Sequence, residues 1–257
     1  MAWYLYLAIV AAGIIAGFIN TLAGSGSLVT LPLLIFLGLP ANVANGTNRV
    51  GILLQNVVGL GGFRRQGLLD VKGTVILGLP AIAGSLVGAQ IAVNLDEAMM
   101  RRAIGMLMVV MLIVILVRPK RWLKGERDVL DSWPGWSRML LFFGIGVYGG
   151  FIQAGVGIFL LAGLVLGVGY DLVRANAVKV GIVLLFTISA LAVFFLNDQV
   201  DLFIGLVLAI GNMLGAWVAT QTAAQKGAAW VRRLLIVVVA VAGANLLGVF
   251  DWIGGLF

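Results

Sequence analysis

The side chains of this sequence that are able to do chemistry are few, and they gather where they are least expected. Residues 17–27 read GFINTLAGSGS and residues 150–157 read GFIQAGVG, each at the end of a long apolar run. Asn20, Thr21, Ser25 and Ser27 supply hydrogen-bond donors in the first stretch, and Gln153 does so in the second. Gly24, Gly26, Gly155 and Gly157 allow close backbone approach and unusual dihedrals. A helix that begins at such a break leaves backbone N–H groups unpaired. Those groups, together with the helix dipole, attract an anion. Small residues also serve tight helix packing, which is the reading for Gly17, Gly84, Gly88, Gly211 and Gly215. Packing explains Gly and Ser at 20–27 but not an amide beside them.

Two cations extend the pattern. The run ANVANGTNRVGILLQN opens with Asn42, Asn45, Thr47, Asn48 and Arg49, and DLVRANAVKV holds Asn176 and Lys179. Aligning RVGI with KVGI makes Arg49 and Lys179 equivalent. Apolar sequence follows both, where a buried cation is expensive. A pair of cations facing a shared centre suits one small anion, with Arg as a planar fork and Lys as a point charge. The competing reading is that both snorkel to a membrane interface. Gln55, Asn56 and Asn212 are mid-segment amides that either line a path or bond helix to helix.

Other chemistry is poorly supplied. The chain has no Cys and no His, which removes disulfides, thiolate chemistry and histidine metal ligation. No cofactor and no metal site is expected. All ten acids lie in loops or at segment ends, so a buried carboxylate relay is not expected either. A proton would then ride on the substrate, or transport would be uncoupled. For a membrane enzyme, a dyad of Ser25 or Ser27 with Lys179 is the one candidate.

The elements that position these groups are membrane helices. Of 257 residues, 62% are hydrophobic and 11% charged, against about 25% charged in soluble domains. Mean hydropathy is +1.13. The apolar runs do not alternate as barrel strands would. Five segments per half are expected: 3–23, 27–37, 44–63, 71–93 and 98–117, then 137–155, 157–168, 172–196, 201–223 and 230–250. The polar stretch 118–136 is the linker between repeats 1–117 and 137–257. RVGILL at 49–54 answers KVGIVLL at 179–185, GSLVGAQIA at 84–92 answers GNMLGAWVA at 211–219, and MRRAIGML at 100–107 answers VRRLLIVV at 231–238. Such duplication is a frequent transporter signature. Segments 27–37 and 157–168 are too short to cross about 30 Å of hydrocarbon untilted, and each spans or forms one arm of a re-entrant hairpin.

The net charge of +7 is mainly loop charge and no sign of nucleic-acid binding. No cleavable leader is expected at the first run. Arg118, Lys120, Arg121, Lys124, Arg127 and Arg138 put the linker in the cytoplasm. Residues 64–72, with Lys226, Arg232 and Arg233, then lie inside as well. Residues 94–97, 197–201, Asp251 and the N-terminus lie outside, and Arg101 and Arg102 run against the scheme. The halves thus cross the membrane in opposite senses, as inverted repeats.

The stretch GFINTLAGSGSLVTLPLLIFLGLPANVANGTNRV resembles the signature of the TauE/SafE family of sulfite-exporter-like permeases, and the resemblance covers nearly the whole chain. Asn20-Thr21-Leu22-Ala23-Gly24 with Gly46-Thr47-Asn48 carries it most specifically, whereas ANAVKV departs from the family's Ala-Thr-rich second motif. The resemblance implies a multi-pass protein of the cytoplasmic membrane that moves sulfite or organosulfonates. The residues alone imply a small anion, so a carboxylate carrier stays open, as does a non-transporting membrane subunit. The expected partners are that anion and the lipid bilayer, and the oligomeric state is open.

Overall fold

The computed structural model describes residues 3–117 and 135–222, and every regular element in them is helical. The first half holds α1 (Trp3–Ala23), α2 (Ser27–Phe36), α3 (Ala41–Arg65), α4 (Val71–Val93) and α5 (Glu97–Val117). The second holds α6 (Trp136–Phe151), α7 (Val156–Ala162, continued by a π-helical turn over Gly163–Val168), α8 (Leu172–Leu196) and α9 (Leu202–Thr222). Most of the linker, the expected segment 230–250, and Lys226, Arg232, Arg233 and Asp251 lie outside the described residues.

Among the described residues, five helices are long and apolar enough to cross a bilayer: α1, α4, α5, α8 and α9. Their outward side chains are apolar and exposed, as at Leu79, Ile91, Met106, Ile113 and Trp217. In water that surface would be costly; against lipid tails it is neutral. α3 matches them in length but carries Asn45, Asn48, Arg49, Gln55 and Asn56, and each of these is 2% exposed or less. It is a polar helix kept at the centre of the bundle.

The acids begin helices. Asp70 accepts from the Gly73 N–H at 2.9 Å at the start of α4, and Asp171 accepts from Val173 and Arg174 at 3.0 Å at the start of α8. Asp96 and Asp201 do the same for Met99 and Ile204 before α5 and α9. A carboxylate at an N-terminus pairs with free N–H groups and the positive end of the dipole. Asp171 also meets Arg174 across an exposed 3.8 Å ion pair.

The tightest packing runs between the halves. α1 lies along α9 and α4 along α6, each pair parallel. A Cβ on Gly211 or Gly215 would strike the Val10 or Ile14 carbonyl, and one on Gly84 or Gly88 would strike Phe143 or Val147. Gly17 lies equally close to Asn212. These glycines let backbones touch, as small residues do at membrane helix contacts. α3 packs on α8 and α9, and α8 packs on α4. Exchanging α1 with α6, α3 with α8 and α4 with α9 maps this set of contacts onto itself.

Neither short helix crosses the bundle. Thr47, early in α3, accepts from the Asp201 N–H, and Gln199 donates to the Val93 carbonyl, so those three places share one end. Gln66 donates to the Thr220 carbonyl and Tyr170 to Asp70, which defines the other end. α1 starts at the first end, where Tyr6 packs edge-on against Phe203. α2 turns back toward that end, its Thr30 hydroxyl bonding Asn48 of α3 at 2.6 Å. α6 and α7 form the matching hairpin from the opposite end. The left-handed glycines repeat with the fold: Gly24 and Gly155 have φ of 73° and 75°, and Gly38 and Gly169 have 96° and 97°.

Candidate functional site

The two buried cations each hold the end of a broken helix. Arg49 is 0% exposed and Lys179 is 2% exposed, so neither snorkels. One guanidinium nitrogen of Arg49 donates to the Gly149 carbonyl at 3.0 Å and the other to Gly150 at 2.6 Å. The Gln153 side-chain oxygen lies 3.5 Å away, and Phe194 lies under the guanidinium at 4.5 Å. Asn45 completes the cap with a 2.8 Å bond to the Phe151 carbonyl. The last carbonyls of α6 carry the negative end of its dipole, and a cation is the natural cap. These bonds end α6 at Phe151, four residues before the expected limit. Ile152 is extended and Gly155 takes the left-handed turn.

Lys179 does the same for α1. Its ammonium donates to the carbonyls of Asn20 at 3.0 Å and Thr21 at 2.9 Å, and to the Asn176 side chain at 2.9 Å. Each cation therefore comes from one half and caps the first helix of the other. The amides at the breaks turn back into their own halves. Asn20 donates to Gln55 at 3.3 Å, and Gln153 donates to the Thr187 hydroxyl at 2.6 Å.

Between the breaks lies a small polar cavity. It is lined by Asn20, Gly24, Ser27, Gln153, Gly157 and Lys179 from both halves, with Asn56, Val156 and Val183. Its volume is about 10 Å³, room for about one water molecule. The breaks touch beside it: the Gly157 N–H donates to the Gly24 carbonyl at 3.1 Å, and a Cβ on either glycine would strike the other's backbone. No side chain caps the start of α2, and the buried Ser25 hydroxyl has no hydrogen-bond partner. A larger groove of about 730 Å³ runs along α6 and α7, but its lining is almost wholly apolar and supplies no group to hold an ion.

Six of the residues expected from sequence thus meet on one cavity. The others do not line it. Thr21 bonds back to the Gly17 carbonyl, Thr47 supports the α8–α9 loop, and Asn48 bonds Thr30. Asn45, Asn176 and Arg49 serve the helix caps, Gly26 packs on Ala16, and Gly155 packs on Met111. Arg49 does not line the cavity, so the cations do not converge on one centre. Of the mid-segment amides, Asn56 is the one on the cavity wall. Val156 and Val183 carried no signal, being apolar residues in apolar runs.

Residues 9–246 match the sequence model of the family described as sulfite exporter TauE/SafE. The chain belongs to that family. It is also 27% identical to the probable membrane transporter protein ORF9 of Sinorhizobium sp., over 96% of this chain and 94% of that one. Identity is 27% with the probable membrane transporter protein YfcA of Escherichia coli, over 93% and 91%. It is 24% with a probable membrane transporter protein of Haemophilus influenzae, over 93% of each chain. This family member is therefore a multi-pass membrane transporter and not an enzyme. Ser27 and Lys179, the pair considered for an enzyme, both line the cavity, where the Lys179 ammonium is bonded to the Asn20 and Thr21 carbonyls and to Asn176.

Proposed function

We propose that the chain carries a small sulfur oxyanion, sulfite or an organosulfonate, across the cytoplasmic membrane by alternating access between two inverted repeats. The observation that carries this reading is the cavity itself. Two helix breaks, one from each half, meet there beside one buried ammonium, and the wall adds the Ser27 hydroxyl and the Asn20, Asn56 and Gln153 amides. Those are the donors an oxyanion needs where water is scarce. The α2 N-terminus adds its dipole. The exchange symmetry of the helix contacts and the paired left-handed glycines support the inverted repeat. The family's name supports sulfite over other anions.

With room for about one water, this arrangement is closed. Transport requires Gly24 and Gly157 to part, so the two hairpins are the moving gates. Lys179 then exchanges a carbonyl for the oxyanion. Purified protein in proteoliposomes should release labelled sulfite, and Lys179→Gln should reduce the rate at least tenfold. Excess methanesulfonate should compete and excess acetate should not. Competition by acetate alone would make the chain a carboxylate carrier. Unchanged flux in Lys179→Gln would remove the cavity from the pathway.

A further inference from the structure

We propose that a crevice between α3 and α9 binds an anionic phospholipid, with Arg65 on the phosphate and an acyl chain along the apolar wall. The crevice is separate from the polar cavity between the helix breaks, and the proposal does not rest on the transport reading. Its volume is about 470 Å³, within the range of about 300–1,000 Å³ usual for small-ligand sites. Val57, Gly61 and Trp217 line its apolar part, and Arg65, Gln66 and Gln221 its polar part. Val57 and Trp217 are 52% and 57% exposed, so this wall faces lipid. Arg65 is the last residue of α3, and Gln221 stands next to the last of α9. The bond from Gln66 to the Thr220 carbonyl holds those two helix ends together. The polar groups therefore gather where both helices leave the hydrocarbon.

Helix packing accounts for one glycine of the Gly61–Gly62 pair and not for the other. A Cβ on Gly62 would strike the Thr220 side chain at 2.7 Å, whereas among the described residues a Cβ on Gly61 meets nothing within 4 Å. Gly61 lies inside α3, and its backbone is not left-handed. A glycine within a helix is destabilising relative to alanine, and here neither a contact nor a dihedral requires it. Its effect is to leave the crevice open. The opposite half differs at the matching place. Carrying the RVGI–KVGI register along α3 and α8 sets Gly61 against Leu191 and Arg65 against Phe195. That face of α8 carries bulk and no charge, as contact with acyl chains alone would favour. A guanidinium beside side-chain amides offers charge-assisted donors to a phosphate diester at headgroup level, where Trp also prefers to lie. A soluble anion would use the donors and leave the apolar wall unfilled. A zwitterionic lipid would fill the wall but bring a second cation toward Arg65. An anionic phospholipid satisfies both parts.

Native mass spectrometry on the purified full chain, delipidated in detergent, tests this with phosphatidylglycerol and phosphatidylcholine of the same acyl chains. Phosphatidylglycerol should bind about fivefold tighter than phosphatidylcholine, the worth of one favourable Arg contact. Arg65→Gln should erase that preference. Gly61→Leu should weaken the binding of both lipids, because its side chain fills open space rather than displacing a neighbour. Glycerol 3-phosphate in excess should not displace the bound lipid. The wild-type comparison and Arg65→Gln do not depend on Gly61→Leu folding. Equal affinity for the two lipids overturns the proposal. So does phosphatidylglycerol binding that is unchanged in Arg65→Gln or in folded Gly61→Leu, which would place the lipid elsewhere and leave the crevice to another part of the chain. Displacement by glycerol 3-phosphate would make the site one for a soluble phosphate and overturns it too.

Discussion

Arg49 and Lys179 are equivalent in sequence and in task, since each caps the first helix of the opposite half, yet only Lys179 reaches the cavity. The difference separates their mutants. Arg49→Gln removes the fork from the Gly149 and Gly150 carbonyls, and Arg49 does not line the cavity. Each stranded group costs about 1–3 kcal/mol, so the melting temperature in detergent should fall clearly. Lys179→Gln also strands two carbonyls, but the adjoining cavity has room for about one water to serve them. Its stability should fall less while its flux falls more. Equal melting of Arg49→Gln and wild type would contradict the structural role of Arg49. The identities of these residues were legible because polar side chains stand out in apolar runs. Their partners were not, because they are backbone carbonyls, which every residue has and no sequence pattern marks. That is why a shared anion centre for both cations was expected and crossed helix caps were found.

The two hairpins show which features of an element a sequence can reveal. Gly-rich interruptions and short apolar segments located both breaks, and α1, α4 and α8 have the expected bounds. α6 stops early because donors from α3 end it, a long-range cause that no local pattern carries. α3 begins at Ala41, directly after Pro40, three residues earlier than the apolar pattern indicates, because its first turns are polar yet buried. At the breaks, Gly24 and Gly155 share the left-handed turn but not the neighbour. Gly24 abuts the Gly157 backbone, which cannot yield, whereas Gly155 abuts the flexible end of Met111. A side chain in that conformation costs roughly 1–2 kcal/mol at either position. Gly24→Ala should therefore lose flux almost completely, and Gly155→Ala should keep a substantial part of it in the same proteoliposome assay. Equal loss in both would show that backbone conformation, not the contact between hairpins, governs the gate.

At the scale of the whole molecule, the two ends of the bundle differ in charge. The end that holds the α3–α4 loop and the start of α8 carries Arg64, Arg65, Lys72, Arg138 and Arg174. The opposite end carries Asp96, Glu97, Asp198 and Asp201, with Arg101 and Arg102 the basic residues there among the described ones. Basic loops stay in the cytoplasm during insertion, and on that ground we propose that the first end faces inward. The hairpin geometry leaves this assignment intact, because α1 and α2 enter and return on the acidic side. Asp96 and Asp201 at that end also cap helices, so their placement reflects helix initiation as well as sidedness. The chain has no Cys, which makes single-Cys labelling clean. On intact cells an impermeant thiol reagent should label Asp198→Cys, beyond the end of α8. Gly67→Cys, in the α3–α4 loop, should react only after permeabilisation. The reverse pattern would invert the orientation, and with it the side from which the α1–α2 hairpin opens the cavity.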